Sequence, residues 1–324
     1  MDKRLTGFSE FLLFLALILV SLLLAISTSL PLSVLDGLNL FFACVLPSVF
    51  PYFFITAILG NLNMTHKVCN KLSPLMNFAF NQNGVVGYAF FMSFIAGYPM
   101  GAKIVSELKN NNLITKSQAV RASILCSTSS PMFLISSVGS IMFKSTKFGL
   151  LLLACNFLSA LVLGIILSFT DKTRANNHKA IFSPIKTENL LNDTVYSCVN
   201  STLFVGGIIT LFYVLTEILA LLNILAPFTF AFGKLFGNTS LGQGLSFGLF
   251  EYTKGLKTIS SAPISFFTLP VSSFICGFCG LSVIIQSVAF LKDAKIKIAP
   301  FVFGKLVGAT INFILGVIFT LVFY

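Results

Sequence analysis

GYPMGAKI (Gly97–Ile104) and EYTKGLKT (Glu251–Thr258) decide the reading of this 324-residue chain. They share a Tyr-x-x-Gly-x-Lys skeleton, and the pairs Tyr98/Tyr252, Gly101/Gly255 and Lys103/Lys257 each lie 154 residues apart. Small-residue breaks follow inside apolar sequence, CSTSSP (Cys126–Pro131) and FCGLS (Phe278–Ser282), about 153 apart. LGII (Leu163–Ile166) and LGVI (Leu315–Ile318) then match at a separation of 152. A spacing this steady indicates one structural unit used twice. Gly/Pro-interrupted apolar segments at corresponding places in two halves point to a transporter binding site.

The surrounding composition places both motifs in a membrane. The chain is 56% hydrophobic and 10% charged, with a mean hydropathy of +0.94, more apolar surface than a soluble domain can bury. Long apolar runs rather than short alternating strands make it helical. The net charge of +11 comes from scattered lysines, with no basic stripe that would suit nucleic acid. Seven cysteines lie mostly in apolar sequence, and Cys276-x-x-Cys279 has no histidine near it, since His66 and His178 lie in distant polar loops. No metal centre, cofactor or catalytic constellation is read, and no phosphate-binding G-x-x-x-x-G-K-[ST] loop is present.

Seven runs have the ~20 apolar residues that a span requires: Phe11–Ser29, Val34–Leu59, Lys116–Phe143, Phe148–Phe169, Ser201–Ile224, Pro263–Leu291 and Pro300–Phe323. Lys3 and Arg4 precede the first, which reads as an uncleaved helix rather than a signal peptide because its apolar core is long. Pro47 and Pro51 predict a kink in the second, and Asp36 is a candidate helix cap. Two further stretches are too short. A helix over Gly84–Ala96 reaches ~20 Å and one over Leu241–Phe250 ~15 Å, against a hydrocarbon core of ~30 Å. Each reads as a re-entrant hairpin that turns at its Gly-Tyr or Glu-Tyr motif.

With the N-terminus in the cytoplasm and the hairpins crossing nothing, sixteen basic residues fall on the cytoplasmic side, Arg121 and Lys305 among them. Five fall outside: Lys144, Lys147, Lys234, Lys254 and Lys257. This bias obeys the positive-inside rule. Each unit then crosses three times, so the second copy is inverted. The expected protein is all-α: about seven transmembrane helices plus two re-entrant hairpins in an inverted structural repeat. Its parts are an N-terminal helix (1–33), a first repeat (34–169), a cytoplasmic linker (170–194) and a second, inverted repeat (195–324), with the C-terminus outside.

Both hairpin tips and both breaks should meet near the bilayer centre. The candidate substrate-binding residues are Gly97, Tyr98, Pro99 and Gly101 at the first tip; Ser127, Thr128, Ser129 and Ser130 at the first break; Glu251, Tyr252 and Thr253 at the second tip; and Cys279, Gly280, Ser282 and Gln286 at the second break. Half-helix N-termini there suit an anionic or polar solute. Lys103 and Lys257 are placed to draw an anion towards the tips. Glu251 is an intramembrane acid, able to bind substrate, hold a coupling sodium ion or relay a proton; alternatively it is neutralised at the membrane edge by Lys254 or Lys257. Tyr98 and Tyr252 are ligand-stacking rings or interfacial anchors.

LPSVFPYFFITAIL (Leu46–Leu59), GYPMGAKIV (Gly97–Val105), CSTSSPMFLISSVGSIMF (Cys126–Phe143), GLFEYTKGLK (Gly248–Lys257) and GFCGLSVIIQSVAFL (Gly277–Leu291) together resemble the bacterial YlbJ family of sporulation integral membrane proteins. More broadly they resemble the nucleoside-recognition "gate" domain of concentrative nucleoside transporters. The resemblance implies two hairpins and two unwound helices around a solute, with Gly97–Gly101, Ser127–Pro131, Glu251–Thr253 and Gly280–Ser282 at the site. The chain departs from the nucleoside carriers at Tyr98-Pro99-Met100, where they have polar and acidic residues, and lacks their asparagine in Cys126–Pro131. The YlbJ resemblance implies a bacterial cytoplasmic or forespore membrane and movement of dipicolinate, a planar dianion. The expected function is a carrier of a small polar or anionic solute working by alternating access. Its alternatives are a scaffold for spore-envelope assembly and a gated pore. The lipid bilayer and the solute are the expected partners; a homo-oligomer or membrane partner is left open.

Overall fold

A computed structural model describes residues 29–60, 64–170 and 190–323, with positions 18, 21, 22 and 27. Most of the first expected span and most of the linker, His178 included, lie outside the described residues. The described chain is helical throughout. α1 (Ser29–Gly60) is followed by α2 (Met64–Phe80), α3 (Gly84–Ala96), α4 (Met100–Asn110), α5 (Lys116–Leu125), α6 (Phe133–Met142) and α7 (Thr146–Ser168). After the linker come α8 (Leu190–Leu221), α9 (Ala226–Phe236), α10 (Thr239–Gly248), α11 (Tyr252–Ser260), α12 (Thr268–Phe278), α13 (Gly280–Asp293) and α14 (Ile298–Phe323).

Five stretches are long and apolar enough to cross a membrane: α1, α7, α8, the α12–α13 pair and α14. Their apolar side chains largely face outward, as Phe42, Leu150, Leu211, Phe303 and Ile314 do, while small and polar residues face in. Such an arrangement suits lipid, where helices associate through close packing rather than hydrophobic burial. The closest approaches run over glycine: Gly139 against Gly149 joins α6 to α7, and Gly316 lies over Pro270 to join α14 to α12. Ser159 Oγ donates to Gly308 O at 2.9 Å, tying α7 to α14.

Local sequence explains where helices start. Asn83 Oδ1 accepts from Val86 N at 3.3 Å and opens α3. Thr115 and Gln118 form a capping box on α5. Ser145 caps α7, and Asn238 caps α10 through two backbone donors. α3 ends at Gly97, whose φ of +77° suits glycine, and a cis Tyr98–Pro99 bond leads into α4. α10 and α11 fold back on each other, with Gly244 and Gly248 packed against Gly255 and Ile259. These are the two short hairpins read from the sequence.

The structure corrects several expectations. Lys116–Phe143 is not one continuous span but α5 and α6, separated at the expected break. Asp36 caps nothing, because α1 starts at Ser29 and Asp36 falls inside it, exposed. α8 starts at Leu190, so the last linker residues are helical. α2 and α9 were not anticipated; both are too short for a span, and each packs on the hairpin limb that follows it. His66 lies in α2 rather than in a loop. All seven cysteines are buried and free. α1 does change its winding beside Pro47: Phe41–Val45 is a π-helical stretch, a common companion of a bend.

A Cβ on Gly255 would overlap the backbone of Gly248 and Gly244, whereas one on Gly207, exposed within α8, meets nothing within 4 Å. Gly255→Val is therefore expected to destabilise by about 1–3 kcal/mol. Gly207→Ala should be neutral or stabilising by roughly 0.5–1 kcal/mol. Thermal unfolding of the purified protein in detergent checks this, and equal melting temperatures for the two variants would contradict the packing.

Candidate functional site

Breaking a helix among apolar neighbours frees backbone groups that must find partners. At the second break Ile275 O accepts from Cys279 N at 2.8 Å, and Cys279 and Gly280 take φ of +65° and +71°. The next two amides cross to the second hairpin: Leu281 N donates to Leu249 O at 2.8 Å and Ser282 N to Phe250 O at 2.9 Å. A Cβ on Gly280 would meet Gly248 O at 2.9 Å and Tyr252 N at 3.0 Å, so the small residue sets this contact. The second tip is thereby laced to the second break.

The first half uses different partners for the same purpose. Ser93 Oγ in α3 donates to Cys126 O, Ser129 N donates to Asn156 Oδ1 at 3.2 Å, and Phe133 N donates to Ser130 Oγ at 3.3 Å. Gly97 lies against Ser130 N, with 2.8 Å available to a Cβ, and Gly101 against Cys126 O. The two laced units meet through aromatic rings. Tyr98 and Tyr252 pack edge to face with centroids 6.2 Å apart, and Phe133 tilts onto Tyr252 at 5.2 Å. Tyr98 Oη donates to Cys276 O at 2.9 Å, crossing from the first tip to α12.

Gly97, Tyr98, Pro99, Gly101, Ser127–Ser130, Glu251–Thr253, Cys279, Gly280, Ser282 and Gln286 are thus all buried, apart from half-buried Ser127. Direct contacts join the first tip to the first break, the second tip to the second break, and tip to tip. Gln286 follows Ser282 by one helical turn and is 1% exposed. The tyrosines are neither interfacial anchors nor open stacking platforms, since each covers the other.

Two expectations fail on chemistry. In the second half the half-helix N-termini are not open anion cradles. The N-terminus of α11 is capped by Glu251 itself, whose Oε2 accepts from Lys254 N at 2.6 Å, and the first amides of α13 are committed to the second tip. Nor does Lys254 neutralise Glu251. Its ammonium turns to Glu217 Oε2 at 2.7 Å, Thr216 Oγ1 at 2.8 Å and Tyr213 O at 3.3 Å, all on α8. Lys254 is buried, so it is not an exterior loop charge. Lys103 reaches Ser197 Oγ at 3.2 Å rather than a tip, and Lys257 is exposed.

The cation at the centre is Lys305, which the loop count placed in the cytoplasm. It lies in α14, 4% exposed, and donates to Ser127 O at 3.0 Å and Tyr98 Oη at 3.2 Å. Its ammonium also sits 4.6 Å from the Tyr98 ring centre. No carboxylate among the described residues pairs with it. Beside it lies a cavity of about 20 Å³ lined by Ser127, Thr128, Asn156, Ser159, Lys305 and Asn312, among others; that is room for one water. Its position inside an apolar run was the available signal, because an intramembrane charge is costly unless it has work. Arg121, also counted as cytoplasmic, is buried in α5. Removing these two from the inner count and Lys254 from the outer leaves the bias in the same direction.

Buried polar side-chain atoms without a hydrogen-bond partner gather around the second tip and break: Glu251 Oε1, Thr253 Oγ1, Ser282 Oγ and Gln286 Nε2. Ser129 Oγ, Ser272 Oγ, Ser273 Oγ and Asn312 Oδ1 add to them. Native interiors leave few such groups, and each calls for an explanation.

Fold and site together define an α-helical integral membrane protein whose broken helices and short helical hairpins enclose a polar centre. The chain is similar to the sporulation integral membrane protein YlbJ of Bacillus subtilis (strain 168), with 29% identity over 295 residues, covering 83% of this chain and 72% of that protein. This similarity bears out the resemblance to the YlbJ type. No protein-family model and no solved structure matches the chain.

Tyr98 and Lys305 should be energetically coupled through their hydrogen bond. In a double-mutant cycle of Tyr98→Phe and Lys305→Met, followed by chemical unfolding in detergent, an interaction energy of about 0.5–3 kcal/mol is expected. Strict additivity would show that the contact contributes nothing.

Proposed function

We propose that this chain is a membrane carrier for a small polar or anionic solute, dipicolinate-like or nucleoside-like, working by alternating access. The observation that carries the reading is Lys305, a buried ammonium held by the first tip through Tyr98 Oη and by the first break through Ser127 O, with no carboxylate paired to it among the described residues. An uncompensated charge at membrane depth is unfavourable for a scaffold and useful to a carrier, because an arriving anion supplies the missing partner. The partnerless hydroxyls and amides nearby are donors and acceptors for the rest of a polar solute. In this proposal the two halves are opposed in the bilayer, and their relation to the gate domain of nucleoside carriers is structural. The small cavity beside Lys305 must widen for a solute to enter, as alternation between faces requires. Sporulation is the setting given by the name of the relative.

The test is uptake into proteoliposomes of purified protein, using labelled dipicolinate, small carboxylates and nucleosides in turn. Saturable uptake of at least one class is expected. Lys305→Met should weaken binding of an anion about tenfold to a hundredfold, the equivalent of a charge-assisted hydrogen bond of about 1.5–3 kcal/mol. Ser282→Ala, which removes the partnerless hydroxyl without adding bulk, should weaken uptake while insertion and melting temperature persist. Well-inserted protein that neither binds nor moves any of these solutes would favour the assembly scaffold.

A further inference from the structure

We infer that Glu251 carries an exchangeable proton on Oε1, and that this proton neutralises the second hairpin tip whenever the tip is docked. The carboxyl is 0% exposed, and its two oxygens have different surroundings. Oε2 caps α11 by accepting from Lys254 N at 2.6 Å, while Oε1 has no hydrogen-bond partner. Thr253 lies against the carboxyl with its amide and its buried hydroxyl, and the hydroxyl makes no other hydrogen bond.

The charges around it do not balance if it is ionised. Lys254, Tyr252 and Tyr213 face Glu251 from its own helix and from α8, with Glu217 and Asp36 beyond them and Tyr98, Cys276 and Cys279 on the side of the first tip and second break. The one cation among these groups, Lys254, is already matched by Glu217 at 2.7 Å. Lys254 and Glu217 sum to zero, so an ionised Glu251 adds a net negative charge in a buried place. The hydrogen bond and helix N-terminus at Oε2 and the neighbouring Thr253 offset part of this, but a fully buried carboxylate with no cation of its own is better neutralised than kept charged. A proton on Oε1 removes the charge, turns a partnerless acceptor into a donor and leaves the Oε2 cap intact.

The exchange is simple: Oε1 takes a proton from water when the tip is open to one face and returns it to water on the other, with no other bond made or broken. Protonation rests on the geometry alone. Its service as the coupling ion rests on the carrier reading.

Infrared difference spectra of the full chain in lipid nanodiscs, recorded across mildly acidic to mildly alkaline pH, separate the two because they need no flux. The expected result is a carboxylic acid C=O band at neutral pH that fades as pH rises. It should be lost in Glu251→Gln and kept, shifted, in Glu251→Asp, both of which can still cap α11. Spectra of the wild type and Glu251→Gln that coincide at every pH would overturn the assignment. So would a band abolished at fixed pH by replacing choline with sodium, which would make a metal ion the occupant.

Discussion

Two backbone hydrogen bonds, Leu281 N to Leu249 O and Ser282 N to Phe250 O, are the constraint on which the centre of this protein depends. A helix interrupted inside a membrane leaves amides that neither lipid nor a distant side chain can satisfy. Here the break is repaired by the carbonyls of the α10–α11 hairpin, which turns at those carbonyls because Leu249 and Phe250 fall between the two helices. Break and hairpin are therefore one device. Gly255 and Gly280 follow from it, since each lies where two backbones approach too closely for a side chain, and a side chain at Gly248 would run into Ile275.

The same device gives the centre its chemistry. Carbonyls and amides brought together among apolar helices make a polar island, and residues otherwise excluded from lipid can be held there. Lys305 is solvated by Ser127 O and Tyr98 Oη instead of water, and Glu251 closes a helix end instead of facing solvent. The first tip reaches across to α12 through Tyr98 Oη and Cys276 O, so neither half's polar island is complete without the other.

Much of this was legible in the chain because it rests on length and on residue size. Thirteen apolar residues ending in Gly97 cannot cross a bilayer, and a run such as CSTSSP cannot stay helical in lipid without help. Direct readings of that kind located both tips and both breaks. What escaped was the direction of individual side chains. Lys254 and Lys305 look like loop charges when assigned by nearness to a span end, yet a lysine seven residues into a 26-residue apolar helix is inside it. The pairing of Lys254 with Glu217, 37 positions away, depends on how α11 lies on α8, which no local pattern encodes. α2 was missed for a related reason. It mixes Lys67, Asn70 and Lys71 with apolar residues, and a search for spans has no use for a helix that is neither long nor uniformly apolar.

Lys305 and Glu251 are best understood together. One is a buried cation without an acid, the other a buried acid without a free cation, and the edge-to-face pair of Tyr98 and Tyr252 stands between their tips. They do not neutralise each other directly, so each is open to a mobile partner of opposite charge. On the proposals above, a proton on Glu251 and a single negative charge of the solute at Lys305 together leave both groups neutralised. A neutral centre meets the least electrostatic resistance in moving relative to the low-dielectric bilayer. A centre carrying only one of the two would move with a net charge. Separating the two groups therefore lets each take its own mobile partner, which a direct Lys305–Glu251 ion pair, each neutralised by the other, would forfeit.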